Sequence, residues 1–171
     1  NLGYRHAVTL TTWNAAALCH KEPRKRAARR AMLDRCLERS DVVAIQETHG
    51  GRSDLATMFP QVARSWKVFA SAGPDAATGG VAMFVRRSFV PQGAQLEAIE
   101  VVPGRVLRLC MKNGGFTRIW WCVHFFGLSA EQVARFSRML KDDAAKARDF
   151  MRVALAVIGD WNFLVAGDCA F

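Results

Sequence analysis

Apolar positions along this chain recur with two different periods, and the switches between them outline its elements. Residues 6–13 form a β-branched, apolar run that predicts a strand. Over residues 21–40 the period lengthens. Met32, Leu33, Cys36 and Leu37 fall at helical spacing, with Arg and Lys over the remaining faces. Pro23 suits the first turn of that helix, where its missing N–H leaves nothing unsatisfied. Residues 42–45 are then continuously apolar, as in a strand covered on both faces.

Residues 53–64 read as a short helix interrupted by Pro60. Two strands follow, at 66–71 and 81–85, separated by a loop rich in Gly, Ala and Pro. Residues 96–102 and 105–111 flank Pro103-Gly104, a turn signal, and predict a hairpin. Another strand covers 119–123. Ser129 and Gln132 form a capping box, followed at steps of three and four by Val133, Phe136, Leu140, Ala144, Ala147 and Met151. A final buried strand, 153–158, runs into Gly159-Asp160. Strands outnumber helices, and hairpins mix with helical crossovers. The pattern therefore predicts an α/β sandwich in preference to a doubly wound parallel sheet.

Composition narrows this picture in three ways. With 171 residues, 51% of them hydrophobic, the chain can bury a core and amounts to one domain or most of one. Its net charge of +9 suits polyanionic partners, or else merely solvates the surface. Residues 21–39 hold eight basic and three acidic side chains, over half of that net charge. The five cysteines include no C-x-x-C pair, and several lie in apolar runs, which points to reduced thiols and an intracellular setting. No apolar stretch is long enough to span a bilayer, so no membrane association is expected.

Three clusters sit where apolar runs end: Trp13-Asn14, Gln46-Glu47-Thr48-His49 and Gly159-Asp160-Trp161-Asn162. Glu47 follows a strand and precedes Gly50-Gly51. One well-placed carboxylate can be the main protein ligand of Mg2+, which keeps waters and phosphate oxygens around it. Alone, Glu47 reads equally as a solvated loop residue. Asp160 and Asn162 are two apart and face one way in extended chain, so Asp160 can orient a water while Asn162 donates to a phosphate oxygen. An Asx turn is the competing reading of that tripeptide. Asn14 either caps its strand or orients the Glu47 carboxylate or a phosphate. His124 either contacts phosphate or is a hydrogen-bonded core histidine. His49 has a place beside Glu47 but no stronger claim.

The motifs T-T-W-N-A-A-A-L, V-V-A-I-Q-E-T-H, G-G-V-A-M-F-V-R-R-S, the strand ending V-H at His124, and V-I-G-D-W-N-F run in that order along the chain. Together they resemble the endonuclease/exonuclease/phosphatase superfamily, the fold of DNase I and of non-LTR retrotransposon endonucleases. The resemblance implies a four-layered α/β/β/α sandwich (DNase I-like) with its active site at one edge of two packed sheets. It implies Glu47 and Asn14 at a Mg2+ site (Mn2+ as the alternative ion), and Asp160, Asn162, His124 and Asn14 as catalytic residues. Ala16 stands where abasic-site enzymes carry an Asp, which argues against abasic-site repair. The family's late Asp and its Ser-Asp-His motif have no counterpart before Phe171. Residues 1–171 are thus expected to be the N-terminal portion of one such domain, incomplete at the C-terminus.

On this reading the chain is a Mg2+-dependent nucleic-acid endonuclease of retroelement type, with DNA favoured over RNA and a nuclear location for such a protein. The alternatives are a phosphatase or phosphodiesterase acting on a small or lipid phosphate ester, and an inactive nucleic-acid-binding remnant.

Overall fold

A computed structural model describes residues 7–75 and 78–161. Strand β1 (Leu10–Asn14) is followed by helix α1 (Pro23–Arg39) and strand β2 (Val42–Gln46), which pairs with β1 in parallel. Pro23 takes the first turn of α1. Helices α2 (Arg52–Met58) and α3 (Val62–Ser65) lie either side of Pro60, where a proline nitrogen cannot continue a helix. Strand β3 (Trp66–Ser71) and strand β4 (Val81–Arg86) complete a sheet of order β1-β2-β4-β3.

A second sheet begins with strands β5 (Gln95–Val102), β6 (Val106–Asn113) and β7 (Phe116–His124), an antiparallel meander. Helix α4 (Ala130–Asp149) then crosses over to strand β8 (Val153–Asp160), which pairs with β7 in parallel. Ser129 caps α4 as the sequence predicts: its Oγ accepts from the Gln132 N–H at 3.2 Å, and the Gln132 Oε1 accepts from the Ser129 N–H at 2.9 Å. Such a box contributes about 1 kcal/mol.

Side-chain alternation makes four layers from these parts. Val43 and Ile45 of β2 face outward and pack with Leu33 and Leu37 of α1. Val42 and Ala44 face inward and meet Leu107, Leu109 and Trp120 of the second sheet. On that sheet's far side, Val106, Ile119 and Trp121 pack with Phe136 of α4. The result is the α/β/β/α sandwich of the sequence reading. It also explains why β2 is apolar throughout: helix covers one face and sheet the other.

Three details differ from the sequence pattern. Strand β1 begins at Leu10, whereas residues 7–9 lack strand pairing; there the Thr9 N–H donates to the Asp41 carboxylate at 3.0 Å. Strand β8 is half-buried rather than buried, because it lies at the end of its sheet and pairs only with β7 among the described residues. The apolar stripe of α4 also shifts. The helix ends at Asp149, Met151 is fully exposed, and Asp143 is buried within the stripe.

Asp143 is tolerated there because every part of its charge is answered. Arg108 donates to it through Nε at 2.7 Å and Nη2 at 3.0 Å, and the Trp121 indole N–H donates at 3.1 Å. The same pairing holds the Arg108 guanidinium above its ordinary pKa, with the hydrogen bond to Asp143 the largest cause. Replacing Asp143 by Leu alone strands a nearly buried cation, so urea unfolding is expected to show a loss of about 3–5 kcal/mol. The double substitution Asp143→Leu/Arg108→Met is expected to recover most of that loss. Equal losses in the single and double variants would contradict this account.

Candidate active site

Beyond the ends of β1 and β2, the two chain segments stay joined. The Ala15 N–H donates to the Gln46 carbonyl at 2.9 Å, the Ala17 N–H to that of Glu47 at 2.8 Å, and the Cys19 N–H to that of Thr48 at 2.9 Å. Keeping this ladder in a loop bends the backbone into unusual conformations. Ala16, Ala17, Glu47 and His49 have φ of 45°, 76°, 54° and 50°, and they are the non-glycine residues with positive φ among those described. Strain of this kind costs energy at each residue and concentrates at functional sites. Arg29 of α1 steadies the loop, its Nε donating to the Ala15 and Ala16 carbonyls, both at 2.9 Å.

The predicted residues converge at this end of the sandwich. The Asn14 amide nitrogen donates to Glu47 Oε1 at 3.1 Å and to Asp160 Oδ2 at 2.8 Å, while its Oδ1 accepts from the Ala16 N–H at 3.0 Å. One carboxamide therefore spaces two carboxylates delivered by different sheets. Strand register places His124 directly beside Asp160, and His124 Nε2 lies 3.4 Å from Glu47 Oε1. His124 is thus a buried histidine and a member of the site at once. His49 Nε2 stands 3.8 Å from the other Glu47 oxygen. Gln46, the neighbour of Glu47, turns instead between the sheets, where it bonds Thr12 and Cys122. Asn162 lies outside the described residues.

Arg105 is a member that motif reading passes over. It follows the Pro103-Gly104 turn, and its Nη1 lies 2.7 Å from His124 Nδ1. A guanidinium can only donate, so Nδ1 accepts and the neutral ring carries its proton on Nε2, towards Glu47. In sequence Arg105 is one cation among many; only the chain reversal at Gly104 brings it to the site. Phe126, largely exposed, lies beside His124 with ring centroids 6.4 Å apart and planes 23° from parallel.

Among the described residues, no three of His, Cys, Asp and Glu gather as a metal-holding cluster. The oxygens of Glu47 and Asp160 are nevertheless hard donors, sparse and held apart by one amide. Such a set fits Mg2+, which takes few protein ligands and completes its shell with water and phosphate. The hydrogen bonds of Asn14 carry both readings of it: Nδ2 orients Glu47 and Asp160, while Oδ1 caps the end of β1 through the Ala16 N–H. Cysteine chemistry has no part here. Burial pushes the Cys19 and Cys122 thiols up to about 12, so neither is a nucleophile near neutral pH.

Burial, seconded by the Arg105 charge, holds the His124 pKa below its ordinary 6.5, while Glu47 and Asp160 pull weakly the other way. The folded protein therefore binds fewer protons than the unfolded chain once the pH drops under about 6.5. The stability this contributes is complete above that pH and is lost as pH falls through the folded-state value. Urea midpoints measured from about pH 7.5 to 5 are expected to fall more steeply for the native protein than for His124→Gln. Parallel curves would contradict the assignment.

The chain matches the model of the Endonuclease/Exonuclease/phosphatase family over residues 11–168. No curated protein matches it. Among solved structures, TDP2 from C. elegans superposes with a TM-score of 0.60 at 17% identity, covering 91% of this chain and 48% of that one. TDP2 from D. rerio, complexed with single strand DNA product, gives 0.57 at 18% identity, covering 93% and 62%. The human Nocturnin catalytic domain with bound sulfate anion gives 0.59 at 15%, covering 91% and 65%. At these identities the likeness is one of fold, and the chain spans about half the length of the C. elegans protein. With the family model spanning both sheets and all four converging side chains, the chain belongs to the Endonuclease/Exonuclease/phosphatase family.

Proposed function

We propose that the natural protein is a divalent-metal-dependent phosphodiesterase that cuts nucleic acid, with DNA favoured over RNA. The observation that carries this reading is the Asn14 amide bridging Glu47 and Asp160. It sets two carboxylates side by side at the end of two sheets. A Mg2+ ion bound at Glu47 would supply positive charge to the non-bridging phosphate oxygens and the leaving oxygen.

The side chains divide the remaining work. Asp160 accepts a hydrogen bond from the attacking water and aims its lone pair at phosphorus. Asn14 keeps Asp160 and Glu47 from drifting together or apart. The His124 Nε2–H donates to a phosphate oxygen, and Arg105 holds that ring in the donor tautomer. Arg105 also offers its remaining guanidinium donors to the negative charge that grows as the bond breaks. Asn162 completes the proposal as a second phosphate donor.

Charge favours a polymer over a small ester. The first turn of α1 carries Arg24, Lys25 and Arg26 and no acidic residue, although cations are disfavoured at the positive end of a helix. A phosphate backbone lying against this turn would turn that cost into attraction. D. rerio TDP2, which shares the fold, was crystallised with a single strand DNA product, in keeping with DNA as substrate. The resemblance of the motifs to non-LTR retrotransposon endonucleases makes a retroelement-type nuclease the specific form of the proposal.

In the natural protein, Glu47→Gln is expected to lower Mg2+-dependent nicking of plasmid DNA by roughly 100-fold or more. Oligonucleotide affinity measured in EDTA is expected to stay within about twofold, since the substitution removes no cation. Undiminished nicking would overturn the metal assignment, and turnover of soluble phosphate esters without nicking would transfer the activity to small substrates. Arg24 and Arg35 lie eleven positions apart, on one exposed face of α1. Replacing both by Ala is expected to lower the slope of log affinity against log salt by up to about 2. An unchanged slope would remove α1 from the nucleic-acid path.

A further inference from the structure

Next to the converging carboxylates, the loops after β1 and β2, together with α2, line a second feature, a half-open pocket of about 390 Å3. Its apolar lining comes from Ala17, Cys19 and Met58, and its polar lining from His20, Lys21, His49 and Asp54. His49 joins it to the site, since the ring that lines the cavity stands 3.8 Å from Glu47. Ala17, Cys19 and His49, which line it, belong to the same hydrogen-bonded pair of loops that carries Glu47.

The lining chemistry selects an occupant. His20 Nδ1 accepts from the Glu22 N–H at 2.9 Å, which leaves Nε2–H as a donor. Asp54 is a carboxylate with one oxygen engaged by the Gly51 N–H at 2.8 Å, leaving acceptor capacity on the exposed side. A phosphate would meet Lys21 but also Asp54, and would gain nothing from Cys19 and Met58. A flat, neutral ring with both donor and acceptor edges matches all of these groups. The volume is ample for one heterocycle and lies within the ordinary range for ligand pockets.

We infer that this cavity is a nucleobase subsite, receiving the base of a nucleotide whose phosphate lies between Glu47 and Asp160. The inference rests on the phosphodiesterase reading above and adds what that reading lacks, a place where the substrate is recognised as a nucleotide. Stacking on His49 and burial against Met58 supply the affinity, while His20 and Asp54 read the ring edge. Because the cavity takes a base that has left the stack, the strand entering it is single-stranded at that position.

The test is a pair of titrations followed by 1H–15N correlation spectra of the protein in Mg2+ buffer. One ligand is deoxyadenosine 5′-monophosphate and the other is deoxyribose 5-phosphate, identical but for the base. Both are expected to shift the amides of Asn14 and Glu47. Only the nucleotide is expected to shift Ala17, Cys19 and His49, and to bind roughly tenfold more tightly, as one stacked base provides. Met58→Trp fills the cavity and is expected to erase that difference while leaving the Asn14 and Glu47 shifts. His20→Ala, at the rim, makes the same point without enlarging a packed side chain. If both ligands shift Asn14 and Glu47 alike and the cavity stays silent, the subsite is wrong and the phosphate site stands. Base-dependent shifts confined to Phe126 and Gly127 would place the base on the other side of His124 and equally overturn the inference. If neither ligand shifts Asn14 or Glu47, the phosphodiesterase reading fails and this inference with it.

Discussion

The candidate site depends on how closely backbone can approach backbone between the two sheets. The Gly80 N–H donates to the Gly104 carbonyl at 2.9 Å, and the Gly80 and Gly79 carbonyls accept from Thr48 and His49 at 3.0 and 2.9 Å. One short glycine segment thus ties the β5–β6 turn to the loop that carries Glu47. Gly80 has φ of +84°, and a methyl group there would overlap the Thr48 hydroxyl. A methyl group on Gly104 would overlap Gly73 in the same way. No other residue type allows both the conformation and the distance. This contact, with the Asn14 bridge to Asp160 and the Gln46–Cys122 bond, holds the Glu47 loop against the end of β7.

Polar groups inside the sandwich obey one rule at both ends. At the candidate site Asn14 answers two carboxylates, and Arg105 answers the inner nitrogen of His124. On the outer face of the second sheet, Arg108 and Trp121 answer Asp143. Among the described residues, no buried side-chain nitrogen or oxygen is left without a hydrogen-bond partner. The difference lies in what remains available. Asp143 is saturated and closed to solvent, a structural pair. Glu47 is partly exposed and sits on backbone with positive φ, an arrangement that costs stability and suits the proposed metal role.

Membership of the Endonuclease/Exonuclease/phosphatase family explains why the motifs sit where strands end, since parallel strand pairs deliver their C-terminal loops to one edge. It leaves open what this particular chain binds there. The basic first turn of α1 and the cavity behind His49 are features of this sequence, and they set the substrate reading on physical ground. The pocket is lined by the loops after β1 and β2 and by α2, and the basic turn opens α1 after the first of those loops. The strained backbone at Ala16, Ala17, Glu47 and His49 therefore adjoins both the candidate metal and phosphate site and the proposed base subsite.

Periodicity alone carried most of the fold. The helical spacing of Met32 to Leu37, the capping box at Ser129 and the turn at Pro103-Gly104 are local signals, and local signals survive in one dimension. The continuous apolar run before Glu47 also disclosed burial on both faces. The exposed Met151 and the buried Asp143 were misjudged or missed, because a helix stripe says which residues share a face but not what they face. Asp143 becomes favourable only once β6 supplies Arg108. The candidate chemistry divides in the same way. Asn14, Glu47, His124 and Asp160 were visible as polar residues at strand ends. That Asn14 would bridge the two carboxylates, that Arg105 would fix the His124 tautomer, and that His20 and Met58 would close a cavity beside them were decided by tertiary structure alone. Asn14 meets Asp160 only because the two sheets pack together, whereas Arg105 meets His124 through the pairing of neighbouring strands, and His20 and Met58 share a pocket only because α2 folds back beside the first loop.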